Sequence, residues 1–235
     1  TFSSTLNGLD ILADTTNFVD SILISQNAST GTLSSASNNT GLGDSVFAAL
    51  TSGVDNTIVG GLAGDALTTG SRNVAIGRSA LSLDTQGSST VAIGFGALDA
   101  QNFTSATDTY NTAVGRSAGG AITTGIKNTI VGGLAGDAIT TADNNTAVGM
   151  SALGATTTGA SNVAIGQGSL QTNTTASNNT AVGFSALNVN TTGTGNNAFG
   201  KGSLDANTTG NYNIGVGNNA LGANTTADYN TAVGV

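Results

Sequence analysis

Several residue types are missing from this 235-residue chain, and each absence excludes a class of structure or chemistry. Cysteine, proline, histidine, tryptophan and glutamate do not occur. Without cysteine there is no disulfide framework and no thiolate metal site. Without proline or a three-residue glycine period, collagen is excluded. With neither histidine nor glutamate, the chain has few groups for acid–base catalysis, so we expect no enzyme, no cofactor and no metal centre.

Charge is also scarce, because charged residues make up 8% of the chain against about 25% in typical globular domains. Five basic and thirteen acidic residues give a net charge of −8, which disfavours nucleic acid as a partner. No apolar run approaches the roughly 18 residues of a membrane-spanning helix, so we expect no membrane insertion. The chain begins at Thr1 and its one methionine is Met150, so we expect a processed product or part of a longer protein.

Glycine is abundant, with 35 residues, and many of them follow a fixed period. From Gly43 to Gly234 a glycine follows a small-plus-aliphatic pair every seventeen residues, except for one interval of twenty-one between Gly94 and Gly115. Numbered from four residues before each glycine, the repeat reads N-T-A-V-G-x-S-A-L-x-A-x-T-T-G-x-x. This unit is too short for the usual helical repeats. It predicts an all-β chain whose residues 39–235 form a parallel β-solenoid of about twelve coils, with residues 1–38 as an N-terminal cap or connector.

The columns of the repeat predict which side chains point inward. Position 1 is asparagine in eleven of twelve units, which predicts a stacked amide ladder, and Thr90 is the exception. Position 4 is always large and apolar, so we expect it to lie in the core, with position 2 on the same face. Positions 3 and 5 are mostly alanine and glycine, so we expect close backbone approach on that face and a homotrimer packed there. In two nearly identical units these structural residues are Asn56, Val59, Gly60, Asn128, Val131 and Gly132.

Position 9 is usually leucine, but in three units it is glycine, and in those units position 12 becomes apolar. Close packing requires lost core volume to be restored nearby, so we expect positions 9 and 12 to fill one interior layer. The paired residues are Gly64 with Leu67, Gly119 with Ile122, and Gly136 with Ile139.

Some short motifs also allow sharper interpretations. The stretch G-G-L-A-G-D, at 60–65 and 132–137, resembles a calcium-binding nonapeptide or a phosphate-binding loop, but it lacks the nine-residue recurrence of the first and the helix and lysine of the second. Stacked Thr-Thr pairs could bind ice, although they also suit turns. The residues Asn173, Asn190, Asn207 and Asn224 each begin an N-x-T sequon, which would be meaningful in a eukaryotic secretory route. We favour an architectural role for all of these motifs.

The irregular unit is the strongest candidate for a binding site. After Asp99 it reads AQNFTSATDTY, four residues longer than the other units, and insertions in repeat proteins often form loops on the binding face. A neutral insertion at a corner of the solenoid is the alternative. The candidate binding residues within 99–110 are Asn102, Phe103, Thr104, Asp108 and Tyr110.

The stretch N-T-A-V-G-F-S-A-L-x-x-N-T-T-G at 179–193 resembles the N-T-A-I-G-x-x-A-L-x-x-N-T-T-G repeats of phage and large-virus tail-fibre-like proteins. More distantly, the repeats are similar to the S-V-A-I-G coils of trimeric autotransporter adhesin heads. The resemblance implies a left-handed, homotrimeric parallel β-roll on an extracellular or virion-associated fibre that attaches to a cell-surface glycan or protein. A bacterial adhesin head, a filament subunit that assembles end to end, and a polysaccharide-cleaving spike are the alternatives.

Overall fold

The computed structural model describes residues 2–6, 9–13, 17–25 and 30–235. Within these ranges the chain is all-β, with short parallel strands stacked in about twelve coils of about seventeen residues and no helix. The predicted β-solenoid is therefore confirmed, while its handedness and trimeric state stay predictions. The chain divides into two compact units, Thr1–Arg116 and Ser117–Val235, which we describe separately.

The first unit combines an antiparallel start with a parallel stack. The strands β1 and β2 pair antiparallel, β2 pairs antiparallel with β4, and from β4 onward the main-sheet strands β6, β7, β8, β10 and β12 pair in parallel. Two small parallel pairs, β3 with β5 and β9 with β11, lie outside the main sheet. The bounds are β1 Phe2–Leu6, β2 Leu9–Ala13, β3 Phe18–Val19, β4 Ile22–Ser25, β5 Ala36–Ser37, β6 Thr40–Leu42, β7 Thr57–Val59, β8 Val74–Ile76, β9 Gly87–Ser88, β10 Val91–Ile93, β11 Thr107–Asp108 and β12 Thr112–Val114.

Parallel pairing begins earlier than residue 39, because β4 pairs with β6 in the manner of a coil. The Ser21 hydroxyl accepts the N–H of Asn39 at 2.7 Å, which is the role that asparagine plays in later coils. An imperfect first coil therefore precedes the regular repeat. The cap or connector role of 1–38 stays a prediction, and residues 1, 7–8, 14–16 and 26–29 of that segment lie outside the described residues.

The second unit is a regular parallel stack in which each strand pairs with the strand seventeen residues further on. Its strands are β13 Thr129–Val131, β14 Thr146–Val148, β15 Val163–Ile165, β16 Thr180–Val182, β17 Asn197–Phe199, β18 Ile214–Val216 and β19 Thr231–Val233.

The asparagines of position 1 form the predicted amide ladder within each unit. The Asn39 side-chain oxygen accepts the backbone N–H of Asn56 at 3.0 Å and its side-chain N–H at 3.0 Å. The Asn56 amide also donates to the Gly70 carbonyl at 3.0 Å. The same pattern recurs in the second unit, where for example the Asn196 side-chain oxygen accepts the backbone and side-chain N–H groups of Asn213. Because donors and acceptors are all paired, these buried amides fix the register of the coils without leaving unsatisfied polar groups.

Since position 1 points inward, strand alternation places position 3 inside and position 4 outside. Position 3 is fully buried at Ala75 and Ala92, whereas position 4 is 38% exposed at Ile76. Val59 and Val131 are likewise only half-buried. The prediction that position 4 lies in the core is therefore wrong. The two-residue alternation was predicted correctly, but the inward and outward positions were exchanged. The interior beside these strands holds the asparagine ladder and the side chains of position 9, so it has room mainly for alanine at position 3.

The glycines of position 5 do lie where another backbone approaches closely, as predicted. Gly60 has a φ of +130°, and a Cβ built on it would lie 2.6 Å from the carbonyl carbon of Gly77, in the next coil. In the same way, a Cβ built on Gly132 would lie 2.6 Å from the carbonyl oxygen of Gly149, in the next coil. The neighbouring backbone thus belongs to the same chain. A trimer packed on the alanine face is excluded, because the alanines line the interior.

Positions 9 and 12 share an interior layer, as their compensation predicted. Leu67, Ile122 and Ile139 are completely buried. A Cβ added at Gly136 would lie 2.9 Å from the Ile139 Cδ1 atom and 3.1 Å from the Ile130 Cδ1 atom. Isoleucine at position 3 is a third member of the layer, which the sequence analysis did not identify.

Candidate functional site

The irregular coil, residues 90–110, absorbs three of its four extra residues between Gln101 and β11, because β11 pairs with β9 at an offset of twenty residues. The fourth extra residue follows β11, and the coil regains the register of its neighbours at β12, which pairs with β10 at an offset of twenty-one. Within the insertion, the Phe103 carbonyl accepts the Gln86 N–H at 2.9 Å and the Thr85 hydroxyl at 2.8 Å. The insertion is therefore held to the preceding coil by backbone hydrogen bonds.

A buried carboxylate, Asp84, anchors the start of the insertion. One of its oxygens accepts the N–H groups of Gly87 at 3.1 Å and Phe103 at 3.0 Å, and the other accepts the Gln101 amide at 2.7 Å. Asp84 is completely buried, and this desolvation raises the pKa of its carboxyl group. Its one signal in the sequence is an aspartate in a column whose other residues are apolar, amides or, at Thr156, a threonine.

The polar network continues from Asp84 into the asparagine column. The Gln101 amide also donates to the Thr90 hydroxyl at 3.2 Å, and the Gln101 oxygen accepts the Asn111 amide at 2.9 Å. The Thr90 and Thr109 hydroxyls lie 2.7 Å apart. Thr90 departs from the asparagine pattern because its short side chain leaves space for Gln101 within hydrogen-bonding distance.

The predicted binding residues of the insertion do not form one surface. Asn102 and Thr104 are exposed, but Phe103 between them is only 7% exposed. The predicted binding role of Phe103 is therefore wrong, because its ring packs inside the coil and leaves its backbone N–H and carbonyl to hold the chain.

Asp108 and Tyr110 lie further along the same coil. Asp108 accepts hydrogen bonds from the Arg72 guanidinium at 2.8 Å and the Ser89 hydroxyl at 2.9 Å, and the hydrogen bond from Arg72 lowers the pKa of its carboxyl group. Tyr110 is 57% exposed. Of the five candidates, Asn102, Thr104 and Tyr110 are thus exposed with no ion pair, while Asp108 is engaged in one.

A more extensive surface is formed by position 4, which we call the apolar stripe. Its residues project outward from successive strands of each unit. Position 2, on the same outward face, carries no charged residue in any coil, and neither does the stripe. In the first unit the stripe consists of Leu42, Val59, Ile76, Ile93 and Val114, and in the second unit of Val131, Val148, Ile165, Val182, Phe199, Val216 and Val233.

The remaining motifs are mainly architectural. The sequon asparagines Asn173, Asn190 and Asn207 are buried and hydrogen-bonded to one another, so their amides are not accessible for glycosylation in the folded chain. In the Thr-Thr pairs, the first hydroxyl donates to a carbonyl of the next coil, as from Thr68 to Thr85, while the second threonine is exposed.

The G-G-L-A-G-D stretches show no ion-binding geometry. Burial raises the pKa of the carboxyl groups of Asp65 and Asp137. Within the described ranges, no three acidic residues are grouped so that they could hold a metal ion. The two stretches instead supply the compensated interior layer described above.

No protein-family model, curated protein or solved structure matches this chain. In the part of the chain that the structure describes, no helix is long and apolar enough to cross a membrane.

Proposed function

We propose that this chain is a segment of a non-enzymatic adhesive fibre, of the phage tail-fibre kind, in which three copies associate through the apolar stripe. The apolar stripe carries the proposal. It presents valine, isoleucine, leucine and phenylalanine to solvent at regular spacing, on strands whose outward positions bear no charge.

An exposed apolar sheet face of this kind is typical of an interaction surface. Burying it gains roughly 25 cal/mol for each Å² of apolar surface removed from water. A second copy of the same stripe is an uncharged, complementary partner, and closed cyclic symmetry would bury it in every copy. The homotrimer proposed here thus uses the opposite face of the strands from the one that the sequence favoured.

The trimer would leave the corners and edges of each solenoid free for a receptor. A stack of repeated coils with a self-associating face suits the shaft or head of an extracellular or virion-associated fibre. The resemblance of the repeats to tail-fibre-like proteins supports attachment to a cell-surface glycan or protein.

Sedimentation equilibrium tests the assembly. We expect the wild type to have a mass of about 68 kDa, three times the 22.7 kDa of one chain. The trimer of the stripe variant Ile165→Thr/Phe199→Thr should have a larger dissociation constant, so that it is already dissociated at protein concentrations at which the wild type remains a trimer. The matched control Leu83→Thr/Val189→Thr alters exposed apolar residues of position 11 and should remain trimeric.

A wild-type monomer at micromolar concentration would contradict the proposal, and polymers that grow with concentration would favour a filament subunit. Retention of the labelled trimer on a panel of bacterial cells tests the adhesive part. Release of shortened oligosaccharides from those surfaces would contradict a non-enzymatic role.

A further inference from the structure

A groove on the surface of the second unit crosses three successive coils beside the apolar stripe. It encloses about 330 Å³. Position 6 forms one wall, position 7 forms the floor, and position 10 forms the opposite wall. The residues that define it are Met150, Gln167, Phe184, Gly168, Gln171 and Asn188.

Gly168 lines the groove at position 7, where it has no side chain to occupy the space. The coils on either side carry Ser151 and Ser185 there, with φ values of 56° and 54°, close to the 65° of Gly168. A Cβ added at Gly168 would lie 3.4 Å from the Asn188 amide nitrogen and 3.4 Å from the Gln171 side-chain oxygen, which is ordinary van der Waals contact. A side chain at position 168 would therefore project into the groove, with the left-handed backbone conformation that Ser151 and Ser185 already adopt.

The walls combine apolar surface with neutral hydrogen-bonding groups. Phe184 is 51% exposed and Met150 is 53% exposed. The Asn188 amide nitrogen donates to the Gly168 carbonyl at 2.8 Å and to the Gln171 side-chain oxygen at 3.2 Å. Among the described residues, no hydrogen bond occupies the Asn188 side-chain oxygen, the Gln171 amide nitrogen or the Gln167 amide. These groups remain available to a ligand as both donors and acceptors.

The groove carries no charge, and a second hollow adjoins it through the shared residues Ser151 and Gln171. This second hollow encloses about 320 Å³ and is lined in part by Leu134 and Asp137. A ligand that extended into it would meet a carboxylate, which accepts hydrogen bonds from hydroxyl groups and repels anions.

We propose that this groove binds a neutral saccharide. The apolar C–H face of a sugar ring would pack on Phe184, and its hydroxyl groups would exchange hydrogen bonds with Gln167, Gln171 and Asn188. Concave sites with apolar walls and a few converging polar groups are typical of small-ligand binding. The inference rests on the proposed adhesive function and specifies its receptor as a neutral glycan.

Binding to a glycan array tests the proposal. The array carries neutral hexose and N-acetylhexosamine oligosaccharides together with their sialylated and sulfated counterparts. We expect the wild type to bind neutral members. Gly168→Leu should weaken binding at least about tenfold by filling the groove. The fold accepts leucine at this position, because Leu62 and Leu134 occupy it in other coils with φ values of 58° and 56°.

A second pair of variants provides a matched control. Phe184→Ala should also weaken binding about tenfold. Phe95→Ala removes an aromatic ring from the same column with similar exposure, 48%, but outside the groove, and should bind as the wild type does. Thermal unfolding and sedimentation verify that each variant is folded and assembled like the wild type.

Preferential binding of charged glycans, equal binding by Gly168→Leu and wild type, or no glycan binding by a wild type that adheres to cells would each overturn the groove proposal. The last two outcomes leave the adhesive fibre intact. Failure of the wild type to trimerise or to adhere to any cell would instead contradict the proposed function.

Discussion

Position 12 of the repeat carries buried polar residues as well as apolar ones in each unit, and the two units satisfy the hydrogen bonds of these polar residues in different ways. In the second unit the Asn190 amide donates to the Gly193 carbonyl at 2.9 Å and to the Asn173 side-chain oxygen at 3.1 Å. In the first unit Asp84 occupies the same column and accepts hydrogen bonds instead, including one from Phe103 in the insertion.

The difference follows from the chemistry of the two side chains. An amide both donates and accepts, so asparagine can extend a ladder from coil to coil. An ionised carboxylate only accepts, so it ends a ladder but satisfies the extra N–H groups that an insertion turns inward. Four regular coils therefore use asparagine at position 12, and the coil that precedes the insertion uses aspartate.

The largest expected effect is that of Asn190→Asp, which introduces into the second unit the aspartate that the first unit has at position 12. At neutral pH the carboxylate oxygen that replaces the amide nitrogen would face the Gly193 carbonyl and the Asn173 oxygen without a donor, and only the other oxygen would keep the hydrogen bond from Asn207. We expect a cost of roughly 3–5 kcal/mol in the free energy of unfolding. Chemical denaturation measures the cost, and Asn178→Asp, an exposed substitution in the preceding coil, is the control.

Low pH should restore part of the stability of the Asn190→Asp variant, because a protonated carboxyl group can donate one hydrogen bond. The pKa of this carboxyl group would be raised in the folded state. The stability of the variant would therefore fall as the pH rises from the unfolded-state pKa through the raised pKa. A variant as stable as Asn178→Asp at pH 7 would contradict the role assigned to the amide ladder.

An intermediate effect is expected from overfilling the interior layer of a regular coil. Gly136→Leu would collide with Ile139 and Ile130 and should cost roughly 1–3 kcal/mol. Adding Ile139→Asn should recover part of this cost, since leucine and asparagine at positions 9 and 12 are the combination of other coils. Unfolding measurements on both single variants and the double variant form a cycle, and simple additivity would contradict a shared layer.

The smallest expected effect is that of Asp84→Asn, which tests the carboxylate in the irregular unit. Asparagine retains an oxygen for the N–H groups of Gly87 and Phe103, but its amide nitrogen would face the donating Gln101 amide, so we expect a loss of about 1–2 kcal/mol at pH 7. The pH dependence is more informative. Because the pKa of Asp84 is raised in the folded state, the folded chain keeps a proton that the unfolded chain has released.

Wild-type stability relative to Asp84→Asn should therefore decline as pH rises from about 4 through the raised pKa of Asp84. Urea unfolding of both proteins between pH 4 and pH 8 measures the difference and cancels the contributions of the other aspartates. A difference that increases with pH would show that Asp84 is instead stabilised as a carboxylate.

Much of the fold could be predicted because the repeat expresses it directly. The seventeen-residue period, the asparagine ladder and the compensation at positions 9 and 12 are visible in the sequence. The phase of the strands was not resolved, because a period of two does not say which face is inside and hydrophobicity favoured position 4. The predicted asparagine ladder already implied the correct orientation, because buried amides at position 1 require position 3, and not position 4, to point inward.

The surface was less predictable than the interior. An insertion suggested exposed contacts, but its length alone could not show that Phe103 turns inward while Asp84 binds its N–H. The groove at Gly168 is formed because the side chains of positions 6 and 10 lie beside position 7. This spatial arrangement could not be predicted from the sequence. Position 7 also holds glycine at Gly96 and Gly202, so a glycine in this column did not by itself predict a groove.

The most direct test of the central claim, that the apolar stripe joins copies of the chain, uses the absence of natural cysteines. Val182→Cys places a single thiol on the stripe, and Thr192→Cys places one on an exposed corner of the same coil as a control. After mild oxidation at low protein concentration, we expect covalent dimers of Val182→Cys on a non-reducing gel and none of Thr192→Cys. If Val182→Cys remains uncrosslinked and reacts with a thiol reagent as fast as Thr192→Cys, the stripe is not an interface between copies.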